Sequence, residues 1–205
     1  MFEVRRLSAE FSDCFSVSKN RITLPECGVS EMKRIVKNTV FSAMFLALCM
    51  VLPLLTFGST QIGNMISPMH IPVLICGFVC GWQYGAIVGF TAPLLRYMIF
   101  HMPPVYPIGV AMAFELAAYG ILCGVLYKVL PKKNSYIYLS LILSMLGGRL
   151  IWGAARYIMA GLSGSEFGMS LFISGAFVEA VPAIICHIII VPLVVMAFKR
   201  SKFLT

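Results

Sequence analysis

The sequence predicts an all-α, polytopic membrane protein, a bundle of six transmembrane helices. Hydrophobic residues make up 60% of the 205 residues and charged residues only 12%. The mean hydropathy is +0.91. A soluble domain of this size cannot bury so much apolar surface, whereas helices surrounded by lipid do not need to. The length fits a single compact membrane domain.

Six apolar stretches account for the predicted helices. They run over residues 37–56, 68–82, 84–100, 107–130, 136–161 and 169–198. A helix that crosses a bilayer needs about 20 residues, so we expect the second and third helices to be short or kinked. A tight Gly-Trp-Gln-Tyr-Gly turn at 81–85 joins them.

Basic residues predict the orientation of these helices. They cluster at 33–37, 128–133 and 199–202, whereas the intervening loops contain no Lys or Arg. Cytoplasmic helix ends collect Lys and Arg, so both termini are expected on the cytoplasmic side of the cell membrane. The net charge of +8 is explained by topology, and no basic stripe with interleaved aromatic residues suggests nucleic-acid binding.

The first 31 residues differ from the rest of the chain. They are polar and of mixed charge, and they lack the apolar region of a secretory signal. Two interpretations remain open, a cytoplasmic tail or a segment upstream of a true start at Met32. Residues 32–205 are then the membrane domain that binds substrate.

Ionisable residues inside the apolar stretches are the strongest functional signal. There are five of them: Arg96, Glu115, Arg149, Arg156 and Glu179. A charge at bilayer depth costs roughly 3 kcal/mol, and such residues therefore face a cavity or a partner. In the predicted orientation they lie in the outer half of four helices, with Arg149 nearer the middle. We expect them to line a site for a small polar molecule.

Helical spacing groups several of these residues with polar neighbours. Arg149, Trp152 and Arg156 share one helix face, and Glu115 shares another with Tyr119. Three arginines against two glutamates leave one positive charge, which favours an anionic ligand held by an arginine. The alternative is a set of ion pairs that lock the helices together.

Two residues near the start of the second helix complete the candidate site. Asn64 and His70 flank that start, and they suit either the rim of a binding site or local turn geometry. His187 has no acidic neighbour in the sequence, and we expect it to be a packed core histidine in the inner half of the sixth helix.

Small residues at a spacing of four predict close helix contacts. Glycines recur at 77, 81, 85 and 89, which indicates closely packed backbones or, alternatively, a hinge. Ala43 and Ala47 form a similar pair on the first helix and indicate a contact within the bundle or with a partner chain.

No catalytic or cofactor-binding pattern is found. The seven cysteines lack the spacing of a disulfide scaffold, and Cys76 and Cys80 have no further metal-ligating neighbours. No nucleophile or nucleotide-binding motif is present. We therefore expect no enzyme activity, no metal and no cofactor, and active transport would draw its energy from a partner or an ion gradient.

Four features follow one another along the chain: the Ala43/Ala47 pair, the run Gly-Asn-Met-Ile-Ser-Pro-Met-His-Ile-Pro at 63–72, Ala-Pro-Leu-Leu-Arg at 92–96 and Ala-Phe-Glu-Leu at 113–116. With these features the chain resembles, over about residues 32–200, the substrate-binding S components of energy-coupling factor (ECF) transporters.

The resemblance implies a vitamin-binding subunit that opens to the outside beneath the loop between the first two helices. It implies docking of the first helix, through Ala43 and Ala47, onto a transmembrane coupling subunit that carries two ATPases, and toppling in the membrane to deliver the ligand. The His-Ile-Pro segment looks most like S components assigned to pantothenate, while related S components carry folate and precursors of thiamine or queuosine.

Two other classes of function remain open from the residues alone. One is a stand-alone carrier coupled to protons or ions, with Glu115 and Glu179 as titrating groups. The other is an intramembrane enzyme in which His70 and a glutamate act as acid and base.

Overall fold

The computed structural model of the protein describes residues 26–56, 67–101, 104–131, 134–163 and 181–201. In these ranges the chain forms six α-helices: α1 (Glu26–Val51), α2 (His70–Cys80), α3 (Trp82–Phe100), α4 (Val110–Val129), α5 (Asn134–Ser163) and α6 (Val181–Arg200). The predicted all-α class is confirmed. Six helices in the whole chain and cytoplasmic termini remain predictions.

Four described stretches are long and apolar enough to cross a membrane: Glu31–Leu54, Val110–Val129, Ser135–Gly161 and Val181–Arg200. The predicted short second helix is confirmed, since α2 has only 11 residues. The first helix begins at Glu26, well before the predicted residue 37. For the sixth helix, the predicted segment 169–180 lies outside the described residues.

Two short segments flank the longer helices. A 3-10 helix, Leu52–Thr56, extends α1, and a π-helical turn, Val105–Gly109, leads into α4. The turn contains an extended residue, Tyr106, whose hydroxyl donates to the carbonyl of Met159 over 3.0 Å. This bond ties the start of α4 to the far end of α5.

The chain divides into two compact units, Met1–Val40 and Phe41–Thr205. The described part of the first unit is the beginning of α1, where the Thr39 hydroxyl donates to the carbonyl of Ile35. All contacts described below lie within the second unit.

A single glycine forms the predicted tight turn between α2 and α3. Gly81 has φ +96°, a backbone conformation that a residue with a Cβ adopts only at a cost. The amide of Gly85 donates to its carbonyl over 3.0 Å, which starts the first turn of α3. That helix begins at Trp82, two residues before the predicted start.

Glycines bring α2, α3 and α4 into backbone contact. A Cβ added to Gly85 would lie 2.9 Å from Cα of Gly77 and 3.0 Å from Cα of Gly120, closer than side-chain carbons approach. A Cβ on Gly89 would meet the backbone of Leu116. The packing interpretation of the glycine spacing is therefore confirmed for 77, 85 and 89, while Gly81 serves the turn.

Helix α4 occupies the centre of the described bundle and packs against α2, α3 and α5. It runs antiparallel to α3, because Gly85 faces Gly120 and Gly89 faces Leu116. Towards α5, the Cys123 Sγ lies 2.9 Å from the Ser144 Oγ. Polar side chains on α4 are therefore enclosed by three helices.

Buried cysteines take part in this packing. Cys49 on α1 donates to the carbonyl of Met69 over 3.6 Å, and the Cys76 Sγ lies 3.9 Å from the Ser42 Oγ. The described residues contain no group of three His, Cys, Asp or Glu side chains placed to hold a metal ion.

We predict that Gly120→Ala destabilises the protein by about 1–3 kcal/mol, the usual cost of overpacking a tight core. The added methyl group would collide with the backbone of Gly85. The measurement is thermal unfolding in detergent micelles, and the matched control is Gly161→Ala, where an added Cβ meets nothing within 4 Å. The control should leave the midpoint unchanged or raise it slightly, because Ala favours helix. Equal midpoints for both variants would contradict the close helix contact.

Candidate functional site

Helices α2, α4 and α5 bring three polar side chains together around the carboxylate of Glu115. Glu115 is only 1% exposed. The Tyr119 hydroxyl donates to its Oε1 over 2.7 Å, and the Arg149 Nη1 lies 3.2 Å from the same oxygen. The His70 Nε2 lies 3.7 Å away, an ion-pair distance if the ring is protonated. We call these four residues the Glu115 cluster.

Local backbone features place the members of the cluster. Glu115 and Tyr119 lie one turn apart on α4, on the same face. Gly148 on α5 makes room for the Tyr119 ring, which a Cβ at that position would overlap. His70 opens α2, and its amide donates to the carbonyl of Ser67 over 3.0 Å.

The Glu115–Arg149 ion pair balances charge inside the cluster. Both side chains are largely enclosed, with exposed fractions of 2% and 13%. Taking a charge away from water is expensive, and a buried pair is stable only when its remaining polar groups are well bonded. The Arg149 Nε is buried without a hydrogen-bond partner, so the guanidinium is only partly satisfied.

A second histidine joins the cluster from α6. The His187 ring stacks on His70, with centroids 5.9 Å apart and planes at 23°. It is 2% exposed, so the prediction of a packed histidine is confirmed. The contact puts it level with His70 at the start of α2. Its expected position in the inner half of the membrane stays a prediction.

Sequence reasoning missed the link between His187 and the candidate site. One signal was present in the sequence. Between Val181 and Phe198, His187 is the only His, Lys, Arg, Asp or Glu, and such a lone polar group on an apolar helix is expected to face the interior of the bundle. Nothing in the sequence identifies His70 as its neighbour.

Three predicted residues on α3 and α5 are not part of the Glu115 cluster. The Arg156 guanidinium carbon lies 5.9 Å from the centroid of the Trp152 ring, a cation–π distance. Arg96 on α3 is partly exposed, and its buried Nε has no hydrogen-bond partner. Among the described residues, the structure gives Glu115 no contact with Arg96, Trp152 or Arg156.

Three further predictions concern other positions. Asn64 and Glu179 lie outside the described residues. Ala43 and Ala47 are exposed on α1, whereas Phe45 on the same helix is buried in the core. The alanine pair therefore faces away from the bundle, and an internal helix contact at these alanines is not what the described structure shows.

Comparison with known proteins adds one match. The family model of the ECF transporter substrate-specific component matches residues 37–195. No curated protein and no solved structure matches the chain. The matched region includes the Glu115 cluster and the alanine pair of α1, and the family is one of polytopic helical membrane proteins that serve transport and are not enzymes. The chain therefore belongs to the family of substrate-specific components of ECF transporters.

Proposed function

We propose that this protein binds a small anionic vitamin or vitamin precursor within the membrane and delivers it as the S component of an ATP-driven importer. Its partners are a transmembrane coupling subunit and two ATPases. Pantothenate is the favoured ligand. The observation that carries the proposal is the Glu115 cluster, a charged and hydrogen-bonded group enclosed by apolar helices.

The composition of the Glu115 cluster is better explained by binding of a ligand than by stabilisation of the fold alone. Apolar residues of similar volume often stabilise a protein as well as a buried ion pair does. The cluster instead presents a carboxylate, a guanidinium, a phenol and two imidazoles at the meeting point of four helices. A few convergent polar groups in an apolar surrounding are typical of small-molecule sites.

The charges of the described residues support an anionic ligand. Arg149 is paired with Glu115, whereas Arg96 makes no hydrogen bond or ion pair with the described residues. A guanidinium in that position is well suited to a carboxylate, which it contacts through two parallel hydrogen bonds. Pantothenate, a monoanion with hydroxyl and amide groups, meets this requirement.

The exposed face of α1 supports docking onto the coupling subunit. Ala43 and Ala47 lie one turn apart on this face, among exposed apolar side chains that include Met44 and Leu48. Small residues let the backbone of a second helix approach closely. The exposed face of α1 thus offers a flat apolar surface against which a helix of the partner can pack.

We predict that Ala43→Trp combined with Ala47→Trp abolishes ATP-dependent uptake and leaves ligand binding intact. Two indole rings would hold a partner helix away from α1 without touching the Glu115 cluster. Uptake is measured in vesicles that contain all subunits, and binding is measured on the purified chain. The matched control is Ile189→Trp with Leu193→Trp, a pair at the same spacing on the exposed face of α6.

The control pair should keep its uptake, because that face is expected to contact lipid. Undiminished uptake by the alanine variant would contradict docking through α1. Uptake that persists without any ATPase and follows a pH gradient would support the stand-alone carrier instead.

We predict that Arg149→Met alone is severely destabilising, by about 3–5 kcal/mol, because it leaves the Glu115 carboxylate buried without its counter-charge. Adding Glu115→Gln should recover most of the stability, since the uncompensated charge is then removed. Ligand binding should stay lost in the double variant. Thermal unfolding and equilibrium binding are measured on the same preparations, and a double variant that binds like the wild type would contradict the assignment of the cluster as the ligand site.

A further inference from the structure

His70 and His187 carry four ring nitrogens that are all buried and that have no hydrogen-bond partner among the described residues. The two side chains are 4% and 2% exposed. The backbone of Ser67 lies near the His187 ring but does not complete a hydrogen bond with it, and the His70 Nε2 is 3.7 Å from the Glu115 Oε1, too far for one.

Unpartnered buried polar groups are rare in proteins and demand an explanation. A neutral imidazole has one donor and one acceptor nitrogen, so the two rings together offer two donors and two acceptors. A hydroxyl group, which donates and accepts, matches this set, and so does an amide. Either group regains hydrogen bonds that the rings lack in the described structure.

A negatively charged group does not suit the same position. The His70 ring already lies beside the Glu115 carboxylate, and a second anion there would be repelled. Among the described residues, the cation beside this carboxylate is Arg149, which is engaged with Glu115. The histidine pair therefore fits an uncharged part of the substrate.

The anionic end of the substrate has a different candidate partner in Arg96. Gly89 faces Leu116 across the antiparallel α3–α4 contact, so Arg96, seven residues further along α3, lies level with Gly109. Gly109 precedes Glu115 by six residues, and at a rise of 1.5 Å per residue this is about 9 Å along the helix. Helix α3 also packs against the Val105–Gly109 turn.

We propose that the site recognises two separate groups of its substrate. His70 and His187 hydrogen-bond an uncharged hydroxyl or amide, and Arg96 binds a carboxylate about 9 Å away along the helix axis. His187 is then a specificity-determining residue that the family match does not indicate. The substrate class is a small monocarboxylic acid with a hydroxyl or amide group at its other end. This inference rests on the proposed function, because it divides the recognition of one ligand between two parts of the same site.

The test combines two variants with matched probes on the purified full-length chain in detergent. The first probes are hydroxylated or amide-containing monocarboxylic acids, with pantothenate first. Each acid that binds is compared with the alcohol obtained by reducing its carboxyl group (panthenol for pantothenate), which lacks the negative charge. Hexanoate serves as an acid that lacks the hydroxyl and amide groups. Affinity is measured by calorimetry, and folding is checked by thermal unfolding.

The His187→Phe variant keeps a ring but loses both nitrogens. We expect it to weaken the binding of the acid and of its alcohol by the same factor, about tenfold or more. His187→Asn, which keeps a donor and an acceptor, should recover part of that loss. Arg96→Gln should weaken binding of the acid by a similar factor and leave the affinity for the alcohol unchanged. Hexanoate should bind far more weakly than the hydroxy or amide acids.

Three results would overturn the inference. They are full affinity in His187→Phe, equal losses for acid and alcohol in Arg96→Gln, and failure of every acid in the panel to bind the folded wild type. None of these results bears on docking through α1. Failure of every acid to bind would also contradict the anionic ligand of the proposed function, whereas failure of the importer role would appear as uptake that needs neither the coupling subunit nor ATP.

Discussion

A carboxylate enclosed by lipid-facing helices must be neutralised by its neighbours, and the described structure is organised around this requirement. Glu115 lies in the second turn of the central helix, and α2, α4 and α5 each supply a group near its Oε1. The glycine contacts make this convergence possible, because they draw the backbones of α2, α3 and α4 together. Packing and charge compensation are therefore parts of one arrangement.

Much of this arrangement could be predicted from the sequence. Hydropathy gives the all-α membrane class, and helical spacing places Glu115 and Tyr119 on one face. Glycine spacing indicates close helix contacts, and the length of the second apolar stretch indicates the short α2. Helical spacing and glycine spacing are local properties of the sequence. The all-α membrane class follows from the match between apolar side chains and the lipid around them, and hydropathy reports that match directly.

The pairing between helices could not be predicted in the same way. Arg149, Trp152 and Arg156 share a face in the sequence, yet only Arg149 reaches Glu115, while Arg156 lies over Trp152. The difference depends on the axial position of α5 relative to α4. The contact between Gly148 and the Tyr119 ring fixes that position. His187 was missed for the same reason, since its stacking on His70 depends on how α6 lies against α2.

The most direct test of the account is the identity of the small molecule that the protein retains on purification. Ligand released from the wild type and from the Arg149→Met, Glu115→Gln double variant is quantified by mass spectrometry. We expect about one equivalent of a small carboxylic acid with hydroxyl or amide groups from the wild type and none from the variant, because the Glu115 cluster binds it. The same ligand in equal amounts from both proteins, or a retained ligand without an acid group, would contradict the account.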